Sequence, residues 1–217
     1  MALGLPPCAA VAPDDRSRAA RTFVVLLAGP SGCGKSHIAR ASGLPIVALD
    51  DFYRDATEPE MPRTPAGDVD WENPASWDAA AALAALEALC TLGEVDVPTY
   101  SFARSAVVGH HLLRTDGAPV VVAEGIFAAE LIAPLRERGL LADALLITVN
   151  RWLTFVRRLV RDAREGRKPF RFLVHQGWAK TTSEPRVVAH QLARGARPVT
   201  KAQALARLAE PGPASPS

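Results

Sequence analysis

The eight residues Gly29-Pro30-Ser31-Gly32-Cys33-Gly34-Lys35-Ser36 constrain the fold of this chain more than any other stretch. They fit the spacing G-x-x-x-x-G-K-[ST], and an apolar run from Phe23 to Ala28 leads straight into them, as a buried strand should. Glycines at 29, 32 and 34 let the backbone turn tightly and point successive N–H groups at one place. The helix that follows adds the positive end of its dipole. Such a cradle binds the phosphates of a nucleotide, with Ser31 and Cys33 in its variable positions. Lys35 then reaches the outer phosphates and Ser36 holds Mg²⁺.

The helix opened by Lys35 is expected to stop by Gly43, and a second apolar run, 46–49, follows at once. This is the start of a βαβ unit, so the sheet is expected to be mostly parallel and flanked by helices: an α/β phosphate-loop fold. In open sheets of this kind ligands sit beyond the carboxyl ends of the strands. At that end of the second run stand Asp50, Asp51, Phe52 and Tyr53. An acid there can polarise a hydroxyl or join a Mg²⁺ shell, although two acids can also simply end a strand in solvent. A third run, 120–123, ends in Glu124-Gly125, which puts another acid where it can touch Mg²⁺ through water. A helix over 128–138, stopped by Gly139, and a fourth strand over 144–149 are expected next.

Between these strands lie weaker signals. Residues 54–70 carry prolines at 59, 62 and 65 and read as a long loop. Asn73-Pro74 marks a helix start leading into 79–92, closed by Gly93. Just ahead of it, Asp70, Trp71 and Glu72 either complement the helix dipole or bind substrate hydroxyls, with Trp71 or Trp77 as an apolar wall. Residues 95–102 alternate like an edge strand, since Pro98 cannot sit in a central one. With 107–113 and the turn at 115–117 they predict a hairpin or flap over the site. Tyr100 and Phe102 stack on a planar ring there, or serve the core. Residues 184–194 fit a short helix or a strand, Gly195-Ala196-Arg197 suggests a loop near a nucleotide base, and Thr200 caps a helix over 201–209.

The segment 151–171 is the most charged, with seven arginines and Lys168 against Asp162 and Glu165. Spacings of three and four put Arg157, Arg161, Arg164 and Lys168 on one helical face. That face suits solvent or a nucleic acid; beside a phosphate loop it also suits a lid that closes over transferring charge. The whole chain carries a net charge of only +2, so no nucleic-acid partner is expected from charge. Nor is a membrane, because no apolar run approaches the roughly 18 residues of a span. Residues 1–21 lack the apolar centre of a signal peptide and read as a flexible leader of a cytoplasmic protein. One domain is expected over 22–210, with its lid near 157–172 and a flexible tail at 211–217. Cys8, Cys33 and Cys90 are too few and scattered for a disulfide framework or a zinc site.

Taken in order, these segments resemble the uridine kinase family of phosphate-loop nucleoside kinases from about Phe23 to about Gln176. GPSGCGKS at 29–36 resembles its ATP loop, and LDDFY at 49–53 its D-x-F-Y element, which implies a catalytic role for Asp50 rather than Asp51. PTYSF at 98–102 resembles the segment that packs on the nucleobase, and AEGI at 123–126 matches E-G-I, with Glu124 as a metal-site acid. RRLVRDAREGR at 157–167 resembles the lid, implying that Arg158 and Arg161 touch phosphates. The chain departs from the pattern in three places. Glu72 stands where an Asp binds ribose hydroxyls, Ser101 replaces an Asp, and Ser105 falls where the pyrimidine-reading His would be; His110 and His111 lie too far along for that role.

The resemblance implies an ATP-dependent (or GTP-dependent) kinase that phosphorylates a hydroxyl of a small molecule, foremost the 5′-hydroxyl of a nucleoside. Asp50 would orient the hydroxyl, and Asp50, Tyr53, Glu72, Tyr100 and Phe102 would line the acceptor site. Ser36, Asp50 and Glu124 would organise Mg²⁺, while Lys35, Arg158 and Arg161 would steady the transferred group. Two other readings stay open: a kinase of a non-nucleoside alcohol such as a sugar phosphate, a pantothenate-like compound or an antibiotic, and a nucleotide-dependent switch or nucleic-acid-binding NTPase.

Overall fold

Six apolar residues in a row fit a sheet only where both faces are covered, and the run before the phosphate loop meets that condition. Strand β1 (Phe23–Ala28) is buried along its whole length in the computed structural model, which describes residues 22–148 and 185–210. The expected leader at 1–21, the lid near 157–172 with Arg158 and Arg161, and the tail at 211–217 lie outside the described residues. After β1 come α1 (Lys35–Ser42), β2 (Ile46–Ala48), α2 (Ala79–Leu92), β3 (Glu94–Ser101), β4 (Ala106–Arg114) and β5 (Val120–Glu124). Then follow α3 (Ile132–Glu137), β6 (Leu141–Ile147), α4 (185–193), β7 (Arg197–Val199) and α5 (Lys201–Ala209).

Five strands form one sheet in the order β2-β5-β1-β6-β7, and every pairing is parallel. All carboxyl ends therefore share one edge, which gathers the phosphate loop, Asp50, Glu124 and Thr200 from distant parts of the chain. Side chains alternate across β1, so Val24 and Leu26 enter one core layer while Val25 and Leu27 enter the other. The first layer packs on Leu86 and Leu89 of α2 and Ile132 and Leu135 of α3. The second packs on Ile38 and Ala39 of α1 and Ala204 and Leu208 of α5.

Several boundaries fall where the local chemistry demands. Gly43 at φ +70° and Gly93 at φ +80° end α1 and α2 in the left-handed region that favours glycine. The helix start expected at Asn73-Pro74 is instead a separate 3₁₀ turn, Pro74–Ser76, and α2 begins under its own cap, with Asp78 accepting from the Ala81 N–H. Trp77 causes the break. Its indole Nε1 donates to the Leu49 carbonyl at 2.7 Å, which pulls the ring into the core and leaves the backbone extended. Likewise the helix expected over 128–138 is a 3₁₀ turn, Ala128–Leu131, followed by α3. Residues 185–193 are helical, and Arg197 starts the edge strand β7 rather than a loop near the base: its guanidinium pairs with Asp143 at 2.8 Å.

β3 and β4 form a separate antiparallel ribbon. Its turn lies at 102–105, with Ser105 at φ +52°, whereas the expected turn at 115–117 connects β4 to β5. Two carboxylates from the loop after β2 grip this ribbon at the level where its register shifts and Tyr100 faces Val107. Asp51 Oδ1 accepts from the Tyr100 N–H and Asp55 Oδ1 from the Val107 N–H, both at 2.9 Å. Truncating either acid should free one amide and cost about 1–3 kcal/mol. Asp51→Ala is therefore expected to lower stability by that amount and to speed hydrogen exchange at Tyr100; unchanged exchange there would contradict the clamp.

Candidate active site

The phosphate loop is shaped by what cannot be added to it. Gly29, Gly32 and Gly34 have φ of +141°, +81° and +101°, conformations that side chains rarely adopt. A Cβ on Gly29 would lie 2.9 Å from Cys33 Sγ and 3.0 Å from the Ile147 carbonyl oxygen, so the loop closes directly on the end of β6. Cys33 is fully buried and packs in the second core layer, which makes it a structural residue of the cradle. Ser31 and Ser36 are half-buried, in the turn and in the first turn of α1. Lys35 is buried, and its ammonium donates to the carbonyls of Gly29 at 2.9 Å and Pro30 at 3.3 Å. It thus folds over the loop's own carbonyls, within reach of whatever anion the amides hold.

Asp50 and Asp51 are neighbours with different surroundings because a 3₁₀ turn, Leu49–Phe52, carries them. At three residues per turn, adjacent side chains diverge by about 120°. Asp51 turns to the ribbon; Asp50 turns to Gly125, where a Cβ would meet its Oδ1 at 3.1 Å. Its neighbour Glu124 ends β5 in register with Ala48 of β2 and Leu27 of β1. The Asp50 carboxylate keeps some contact with solvent, yet packed atoms surround most of it. Burial accordingly lifts its pKa above the ordinary value of 3.8; Lys35 and a hydrogen bond from the Ile126 N–H pull it down, while Glu124 and Asp51 push it up.

The donors Ser36, Asp50 and Glu124 are all oxygens, which suits a hard cation such as Mg²⁺ that keeps waters and phosphate oxygens in its shell. Among the described residues no group of three or more His, Cys, Asp or Glu forms a protein-only metal cage.

Beside Asp50 stands a box of aromatic rings. Tyr53 meets Trp71, Tyr100, Phe102 and Phe127 at centroid distances of 5.5, 5.8, 5.6 and 5.9 Å. Its hydroxyl donates to the Trp71 carbonyl at 3.0 Å, and the Tyr100 hydroxyl to the Arg54 carbonyl at 3.3 Å. Burial, then the charges of Asp50 and Glu72, raise the Tyr53 pKa, so the phenol stays a neutral donor. Phe102 is 52% exposed at the ribbon's turn and forms the outer wall. Glu72 is exposed near the mouth. Trp71 belongs to this wall, whereas Trp77 is a core buttress tilted on Phe127. His110 and His111 lie mid-strand on β4, away from the turn. A cavity of about 510 Å³ lined by Asp51, Tyr53, Arg54, Asp55, Trp77 and Val107 shares Tyr53 with the box, while Asp50 and Lys35 do not line it.

One positioning residue carries no local sequence signal. Gln191 of α4 is 1% exposed, and its Nε2 donates to the Ile126 carbonyl at 2.8 Å. It thereby holds the turn whose N–H bonds Asp50. Only its fixed place on a helix following the 149–184 segment could have marked it.

The model of the phosphoribulokinase/uridine kinase family matches residues 24–169. A uridine kinase of Deinococcus deserti is 32% identical over 157 residues, 69% of this chain and 73% of that one. A uridine kinase of Chloroflexus aggregans is 27% identical over 161 residues, 71% and 74% of the two chains. Among solved structures, a provisionally assigned fructose transport system kinase from Silicibacter sp. TM1040 superposes with a TM-score of 0.60 at 20% identity, over 82% of this chain and 88% of that one, which shows a shared fold.

Because the pKa of Asp50 is raised in the fold, its ionisation costs stability as pH rises above 3.8, and that cost is complete once pH exceeds the folded value. In metal-free protein, Asp50→Asn should therefore melt higher than wild type near neutral pH, the gap closing as the solution is acidified. A lower melting temperature for the variant would contradict this electrostatic picture.

Proposed function

The chain belongs to the phosphoribulokinase/uridine kinase family and is a kinase that transfers phosphoryl groups to a hydroxyl; within that class we propose that its acceptor is the 5′-hydroxyl of a nucleoside and its donor MgATP. The observation that carries this reading is the aromatic box joined to a buried carboxylate: Tyr53, Trp71, Tyr100 and Phe102 stand beside Asp50, under a ribbon clamped in place by Asp51 and Asp55. Flat apolar walls suit a base, and the carboxylate beyond them suits the hydroxyl that reacts.

Asp50 orients the hydroxyl and takes its proton as the new P–O bond forms, while the bond from the γ-phosphorus to the bridging oxygen breaks and ADP leaves. A pKa lifted by burial helps, because it makes the carboxylate a stronger proton acceptor than an exposed one. Lys35 exchanges the carbonyls of Gly29 and Pro30 for the outer phosphates, and the loop amides hold the donor in line. Ser36 and Glu124, with Asp50, would hold Mg²⁺, which neutralises charge on the phosphates. Arg158 and Arg161 are assigned to the transferred group on the strength of the lid resemblance.

A second reading, a non-nucleoside alcohol, draws support from the box itself. The rings of Tyr53, Tyr100 and Phe102 already touch, with centroids 5.2–5.8 Å apart, and Ser105 and Glu72 replace two acceptor-reading residues of the family.

The test is a panel of nucleosides, sugars, sugar phosphates and pantothenate-like alcohols offered with radiolabelled MgATP. Transfer to a nucleoside, at the 5′ position by phosphorus NMR, is expected; transfer only to other alcohols would favour the second reading. On the best acceptor, Asp50→Asn should lower kcat by about 10²–10⁴-fold. If Asp51→Asn has that effect and Asp50→Asn does not, the base is misassigned.

A further inference from the structure

The phosphate loop receives a second ammonium group, from the far end of the chain. Lys201 opens α5, whose first turn is fixed by reciprocal bonds: Thr200 Oγ1 accepts from the Gln203 N–H at 3.3 Å and Gln203 Oε1 from the Thr200 N–H at 2.8 Å. Packing of Ala204 and Leu208 with Ile38 and Ala39 sets α5 against α1. From this anchored base the Lys201 side chain reaches Gly34, where a Cβ would lie 2.8 Å from Nζ and 2.9 Å from Cε. The lysine is half-buried, and among the described residues its ammonium has no ion pair or hydrogen bond.

A lysine normally extends its charged end into water, yet this one lies on a loop that already holds the Lys35 ammonium and the positive end of α1. Two ammonium groups and the positive end of α1 thus meet at the loop; Asp50 faces Lys35, while the Lys201 ammonium at Gly34 has no carboxylate of its own among the described residues, which suits it to an anion. The sheet order says which part of the donor that anion is. Asp50 and Glu124 follow β2 and β5, on one side of β1; Lys201 follows β7, on the other. It therefore faces away from the reacting hydroxyl and towards the trailing end of the donor.

We infer that Lys201 is a nucleotide-binding residue, pairing with the inner phosphate of the donor nucleoside triphosphate on the side opposite the acceptor. The inference rests on the donor reading given above. A contact made alike in ground and transition states changes KM and Kd and leaves kcat alone.

Calorimetric titration of the full chain with MgADP, with steady-state kinetics on the best acceptor, tests it. Lys201→Gln should weaken MgADP about tenfold and raise the KM for ATP to match. Lys201→Arg should recover most of the loss, and kcat and the acceptor KM should stay within about twofold. Lys201→Met, which keeps the apolar stem on Gly34, must show the same loss as the glutamine variant and serves if the amide disturbs folding. Unchanged MgADP affinity in both neutral variants would overturn the inference while leaving the kinase reading intact. Wild-type protein that binds no MgADP would overturn both.

Discussion

A carboxylate largely surrounded by packed atoms, beside an ammonium, is the interaction on which this molecule's arrangement depends. Asp50 is raised in pKa by burial first, and the attraction of Lys35 and the Ile126 N–H only partly offsets that cost. Glu124 adds to it. A group so placed is incomplete until a cation or a proton arrives, and both are what phosphoryl transfer to a hydroxyl brings to it. In the loop, Lys35 bonds the carbonyls of Gly29 and Pro30, at the glycine-rich turn that leads into α1. On the proposed reading, the phosphate loop serves the donor and Asp50 serves the acceptor.

The sheet makes that possible at low cost in chain. Parallel strands bring every carboxyl end to one edge, and the order β2-β5-β1-β6-β7 divides that edge at the phosphate loop. Acids stand on the β2 and β5 side, and Lys201 stands on the β7 side. The 3₁₀ turn after β2 then separates two adjacent acids, one facing the reaction and one holding the ribbon. Consecutive residues so come to serve chemistry and architecture without sharing either.

Much of this was legible from local pattern. A both-face-buried strand must be uniformly apolar, glycines must stand where φ is positive, and acids at strand tips must share the carboxyl edge, so β1, the loop, Asp50 and Glu124 could be read directly. Long-range bonds could not. Trp77 reaching the Leu49 carbonyl moved the start of α2 from Asn73 to Asp78. The ribbon turned at Ser105, a non-glycine residue at positive φ, rather than at the Asp-Gly pair that sequence favours. Strand β7 is three residues long and anchored by Asp143, too short to show a period. Gln191 and Lys201 act through contacts 65 residues or more away in the chain, which no spacing reveals. Arg158 and Arg161 fall outside the described residues.

The most direct measurement is a carbon-detected NMR titration of the Asp50 side-chain carboxyl, in protein free of metal and nucleotide and again with a non-hydrolysable MgATP analogue. The free protein should show Asp50 titrating above its ordinary value of 3.8, and the loaded protein should show it shifted downward as positive charge arrives beside it. An Asp50 that titrates at or below the ordinary value in the free protein, or that ignores the analogue, would contradict the claim that this carboxylate is the acceptor-side partner of the phosphate loop.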